Sequence, residues 1–254
     1  SCLTIYSPMK THEYKLPASG PLLLVLFVMQ LAGCTTAEKP DPVEMRQSAE
    51  IDRGQQLLDA NRYPEAIEVF QNQIARTPDS ASLHLLLAQA YAADERLTDA
   101  IGAYERSLEL NPGDGETRVA LAILLTRLDQ LPKAEEHLRE AVRRQPGLAS
   151  AHRILGRIHY REARFDEAVA SYQRATADDP NFGDAWGDLG QVEAKRGNLE
   201  AAQSAYRQAI GCDSSNADYR NGLGFVLYKG RDFAAASVEL ERAIQLEPLH
   251  ARSH

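Results

Sequence analysis

From residue 47 onward, apolar residues recur three and four positions apart, in stretches separated by polar residues, Gly and Pro. That spacing builds helices with one buried stripe and one solvated face. The stripes repeat. Prolines fall at Pro78, Pro112, Pro146 and Pro180, each thirty-four residues after the last; Ser214 takes the next slot and Pro248 the one after. Alanines occupy a second column without a miss: Ala66, Ala100, Ala134, Ala168, Ala202 and Ala236. Four residues beyond each comes a large side chain: Phe70, Tyr104, Leu138, Tyr172, Tyr206 and Leu240.

Each column has a physical task. Leu87, Leu121, Leu155, Leu189 and Leu223 fall on the buried stripe of a first helix. Gly54, Ala88, Ala122, Gly156, Gly190 and Gly224 are small, so that a second helix can approach closely. The alanine column supplies the matching contact on that second helix. Pro64 and Pro132 sit in its first turn, where a missing N–H costs little. The recurring proline ends it and starts the next copy.

These columns resemble the tetratricopeptide repeat, W-x2-L-G-x2-Y, then A-x3-F, then P. One copy reads Trp186, Leu189, Gly190 and departs at Glu193; another reads His84, Leu87, Ala88, Tyr91; a third reads Arg220, Leu223, Gly224, Leu227. The resemblance implies an all-α fold, a solenoid of about six helix-turn-helix repeats wound as a right-handed superhelix, over 47–80, 81–114, 115–148, 149–182, 183–216 and 217–250. Glu50 and Arg53 make the first copy polar, as a capping repeat would be. Residues 251–254 are in register with Ser82-Leu83-His84 and Ser150-Ala151-His152, so they read either as the start of a truncated seventh repeat or as a frayed tail.

The N-terminal region has a different pattern. Leu22–Met29 is an apolar run too short to span a bilayer, preceded by Lys10 and Lys15 and followed by small residues. That is a signal peptide over 1–33, starting at Met9 or carrying a longer leader. It ends Leu31-Ala32-Gly33-Cys34, which resembles the lipobox of bacterial lipoproteins. The resemblance implies cleavage before Cys34 and lipidation of its sulfur. Several acyl chains anchor stably where one would not, each buried methylene contributing ~0.8 kcal/mol. Thr35, in place of Asp, points to the outer rather than the inner membrane. Residues 34–46 carry two prolines and mixed charges, a poor helix and a plausible flexible tether reaching roughly 20 Å.

A net charge of −8 argues against nucleic acid as the main partner. Three cysteines, Cys2, Cys34 and Cys212, cannot form a disulfide framework, and the last reads as a small buried hydrophobe. His152 and His159 are seven apart, where a zinc pair needs three or four, so both read as structural. Gly187–Gly190 and Gly222–Gly224 lie inside helices and are not phosphate loops. No catalytic, metal, cofactor or small-molecule signature emerges, and the expectation is a non-enzyme.

In the tetratricopeptide family the first helices line a concave groove. Carried onto this chain, that places Arg127, Arg153, Arg157, Tyr160, Arg161, Gln191, Lys195, Asn221, Phe225, Tyr228 and Lys229 on one face. This basic, aromatic-bearing stripe reads as a site for an extended or helical protein segment of acidic character, or as a solvated face. The carboxylate clamp of some family members is not reproduced, because Asp184, Asp188 and Asp218 stand near where positive or amide groups are needed. Lipobox and repeats together resemble the assembly lipoproteins of type IV and Flp (Tad-type) pili. The alternatives are a scaffold for cell-wall or outer-membrane assembly enzymes, and the substrate-recruiting part of a larger enzyme.

Overall fold

The computed structural model describes residues 42–246. Among them are twelve α-helices and no strand: α1 Pro42–Asp59, α2 Tyr63–Ile74, α3 Ala81–Ala93, α4 Leu97–Leu110, α5 Gly115–Arg127, α6 Leu131–Arg144, α7 Ala149–Arg161, α8 Phe165–Asp178, α9 Gly183–Arg196, α10 Leu199–Cys212, α11 Ala217–Lys229 and α12 Phe233–Leu246. From Arg46 on they pair in chain order and stack as a repeat solenoid. The expected leader, the expected lipidation site Cys34 and residues 251–254 lie outside the described residues. Of the expected tether, residues 42–46 are described and are helical, which corrects the expectation of a poor helix there. Pro42 is the first helical residue, where it sacrifices no bonded N–H, and Glu44, Met45 and Arg46 are good helix formers. Among the described residues no helix is long and apolar enough to cross a membrane.

Each helix pair turns through the same bend. Asn61, Glu95, Asp129, Ala163, Gly197 and Arg231 hold positive φ, between 57° and 85°. The next N–H then returns to the carbonyl five residues back: Arg62 to Leu57 (2.8 Å), Arg96 to Tyr91 (2.9 Å), Gln130 to Leu125 (2.8 Å), Arg164 to His159 (2.9 Å), Asn198 to Glu193 (2.9 Å) and Asp232 to Leu227 (3.0 Å). This is the left-handed termination that satisfies the last carbonyls of a helix. A single glycine, Gly197, serves among the six.

The small-residue column admits a side chain from the second helix. A Cβ on Gly54 would stand 2.5 Å from the Phe70 ring; on Gly156, 2.6 Å from Tyr172; on Gly190, 2.9 Å from Tyr206; on Gly224, 2.7 Å from Leu240. The alanine column is buried throughout.

The slot of the repeat's tryptophan works as a donor. Trp186 Nε1 donates to the Pro180 carbonyl (3.0 Å), His84 Nε2 to Pro78 (2.9 Å), His152 Nε2 to Pro146 (3.1 Å), Arg118 to Pro112 (3.1 Å) and Arg220 to Ser214 (3.0 Å). Five different copies therefore close the inter-repeat turn with an N–H six residues on. His159 is buried between Ser171 Oγ (3.1 Å) and Glu135 Oε1 (3.2 Å). Glu193, in the equivalent slot, is 6% exposed and accepts from Asn198 (2.7 Å) and Arg196 (3.2 Å). Cys212 is exposed, which corrects the reading of a buried hydrophobe: it is the last residue of α10, past the stripe that packs.

Candidate groove on the first helices

The first helices of successive pairs, α5, α7, α9 and α11, contribute to two neighbouring recesses. One, of about 300 Å³, is lined by Ile123, Thr126 and Arg127 of α5, Ile154, Arg157, Tyr160 and Arg161 of α7, and Asp188 and Gln191 of α9, with Tyr172 reaching in from α8. The second, of about 450 Å³, is bordered by Arg153, Asp184, Asp188, Gln191, Asn221 and the Tyr206 and Tyr219 rings. Asp188 and Gln191 belong to both. The expected Arg127, Arg157, Tyr160, Arg161 and Gln191 therefore meet around one recess, and Arg153 and Asn221 around the next. Phe225, Tyr228, Lys195 and Lys229 line neither. Ile123, Ile154, Tyr172 and Asp188 were not among the expected residues. Ile123 stands in the same repeat slot as Arg157 and could have been found by register alone. Tyr172 belongs to the buried large-residue column, which gives no sign that its edge reaches the groove.

The basic side chains divide into two kinds. Arg153 Nε lies 2.7 Å from Asp188 and its Nη1 2.8 Å from Asp184, with the guanidinium 5.4 Å from the Phe182 ring centre. Asp184 also accepts from the Tyr219 hydroxyl at 2.6 Å. One chain of contacts thus crosses α7, α9 and α11. Arg127 pairs with Glu95 (2.7 Å), and Arg161 with Asp129 (2.9 Å) and the Thr126 carbonyl (2.8 Å). Glu95 and Asp129 are the left-handed turn residues of the preceding repeat, so the cation that ends one first helix clasps the turn behind it. Lys195 and Lys229 occupy the same slot. The turn residues they would clasp are Ala163 and Gly197, which carry no carboxylate. Among the described residues Arg157, Lys195 and Lys229 have no carboxylate within ion-pair distance, and Arg157 is exposed beside the recess it lines.

The buried acid and phenols are tuned by the same packing. Burial pushes the Asp188 carboxyl above its ordinary value even though Arg153 pulls it down. Burial, helped by the Asp188 charge, raises the Tyr172 phenol and pushes Tyr206 up to about 12. Burial raises the Tyr219 phenol as well, so Tyr172, Tyr206 and Tyr219 stay protonated and can donate.

At the far end lies an aromatic patch. Phe225 is 52% and Tyr228 59% exposed. Lys229 Nζ sits 4.9 Å from the Phe225 ring centre, and Tyr228 meets Phe233 edge-on at 5.5 Å. Phe225 and Tyr228 are the equivalents, two repeats on, of Arg157 and Tyr160.

The family model for the tetratricopeptide repeat matches residues 51–115, 119–181 and 157–217. No curated protein matches the chain. Among solved structures, Pseudomonas aeruginosa pilF is 16% identical over 81% of this chain and 94% of its own, with a TM-score of 0.70. The Cut9–Hcn1 hetero-tetramer of APC/C is 18% identical, with a TM-score of 0.68 over 80% of this chain, which spans only 40% of that chain. YrrB, described as having an unusual peptide-binding site, is 21% identical over 74% of this chain and 100% of its own, with a TM-score of 0.56. At such identities the likeness is one of fold.

Proposed function

The chain belongs to the tetratricopeptide repeat family, and on that premise we propose that it is a non-enzymatic scaffold holding a segment of another protein across α5, α7, α9 and α11. The observation that carries this reading is Arg157: an exposed cation without a carboxylate partner among the described residues, beside a recess with an apolar and phenolic floor. Arginine and aromatic residues are the types that dominate binding energy at interfaces. A segment of acidic character fits it.

The finer reading comes from the sequence. The leader ending at Cys34 supports a lipid-anchored protein of the bacterial envelope, facing the periplasm, at the outer membrane. Lipobox and repeats together support a role in assembling a type IV or Flp pilus or its secretin. The chain shares its fold with pilF, which accords with that reading without carrying it. The test is a crosslinked pull-down from native membranes with the full-length protein and a Cys34→Ser control. Capture of a secretin or pilus component only with Cys34 intact supports the anchored assembly factor. Capture of cell-wall enzymes overturns the pilus role and leaves the scaffold.

A further inference from the structure

On the first helices the unpaired cations Arg157, Lys195 and Lys229 and the exposed aromatics Phe225 and Tyr228 all lie from α7 onward. At the ends of α5 and α7 the clasp is made: Arg127 is held by Glu95 and Arg161 by Asp129. From α9 on, the turn residues change to Ala163 and Gly197, and Lys195 and Lys229 are released. The aromatic patch of Phe225 and Tyr228 begins where the second clasp is lost. From this juxtaposition we propose that the groove reads a two-part motif: an acidic residue held by Arg157 and, about six residues away along an extended segment, an apolar or aromatic residue laid on Phe225 and Tyr228. This deepens the scaffold reading and rests on it.

The spacing follows from geometry. Packed helices lie about 8–10 Å apart, so α7 and α11, two repeats apart, present equivalent side chains roughly 16–20 Å from each other. An extended chain rises about 3.3 Å per residue and covers that in five or six. The partner segment is extended because a recess of about 300 Å³ has room for a side chain and a helix is about 10 Å across. Its acid is favoured by charge complementarity: Arg153 pairs with Asp184 and Asp188 and offsets one of their two charges, while Arg157, Lys195 and Lys229 are the three groove cations without an ion-pair partner among the described residues.

The experiment is selection of phage-displayed random twelve-residue peptides on the full-length protein. Fluorescence anisotropy of the enriched peptides on folded variants follows. Enriched peptides should pair an acid with an apolar residue five to seven positions away. Arg157→Glu, Phe225→Ala and deletion of three spacer residues should each weaken binding at least tenfold. A variant that loses helicity is replaced by Arg157→Gln or Phe225→Ser. Peptides indifferent to the spacer and to Phe225→Ala, yet weakened by Arg157→Glu, overturn the two-part motif and leave the scaffold standing. Peptides indifferent to Arg157→Glu, or a selection that enriches nothing, overturn both. A dimer of the chain that Phe225→Ala dissolves assigns the patch to a second copy and overturns the motif.

Discussion

Arg153 of α7 and Asp188 of α9 meet at 2.7 Å, and the same guanidinium reaches Asp184 at 2.8 Å, so the most enclosed arginine of the groove is engaged by the neighbouring repeat. Arg157, one helical turn away, has no such partner among the described residues.

Reversing the two charges separately should therefore give opposite results. Arg153→Glu leaves two carboxylates facing a third and should cost about 2–3 kcal/mol of stability. Arg157→Glu should leave the melting temperature within about 2 °C, as exposed substitutions do, and abolish partner capture. Thermal melts alongside pull-downs of both variants distinguish the roles.

The left-handed bend predicts a reciprocal pair. Ala163 holds φ 57° with a Cβ, so Ala163→Gly should stabilise by roughly 1 kcal/mol. Gly197 holds φ 85° with no atom within 4 Å of a Cβ placed there, so Gly197→Ala should lose a similar amount (about 1 kcal/mol) through backbone strain alone. Urea titrations of the two variants measure both signs.

Gly156→Ala drives a Cβ against the Tyr172 ring at 2.6 Å. Overpacking of this kind costs about 1–3 kcal/mol. Since Tyr172 also lines the recess beside Arg157, ligand affinity should fall together with stability, which denaturation and binding of the same variant would show.

Asp188 gives a pH signature. Its folded value is raised above the ordinary 3.8 by burial, so folding favours the protonated form. Its stabilising contribution is present below 3.8 and is lost as pH rises through the raised value. The melting temperature of Asp188→Asn should gain on that of the unaltered protein between pH 3.8 and that raised value, then run parallel to it. A constant difference from pH 3 to pH 8 would contradict this.

Much of the fold was legible because helix stacking imposes one period on every buried position. The alanine column and the glycines facing Phe70, Tyr172 and Tyr206 must recur wherever the same contact recurs, and they do. Groove placement was legible through the same register, which put Arg157 and Gln191 together. The division of the cations was not. Arg127 and Glu95 are thirty-two residues apart, and their pairing depends on how one repeat lies behind the next. Nor was the donor slot. His84, Arg118, His152, Trp186 and Arg220 have little in common as packing residues and become equivalent only when each N–H is seen to reach the carbonyl before it. Pro42 misled because two prolines in a charged stretch read as tether, whereas the second begins a helix.

The contacts running from Arg153 through Asp184 to Tyr219 bear on how the array comes apart. In a stack where each unit touches only its neighbours, unfolding travels inward from an end, one interface at a time. A link that spans three consecutive units makes the first step inside it dearer than the steps outside. The pairs on either side can open while α7, α9 and α11 remain together. Amide exchange should then be slowest in those helices, and the face proposed to hold the partner would be the last of the described residues to lose its shape.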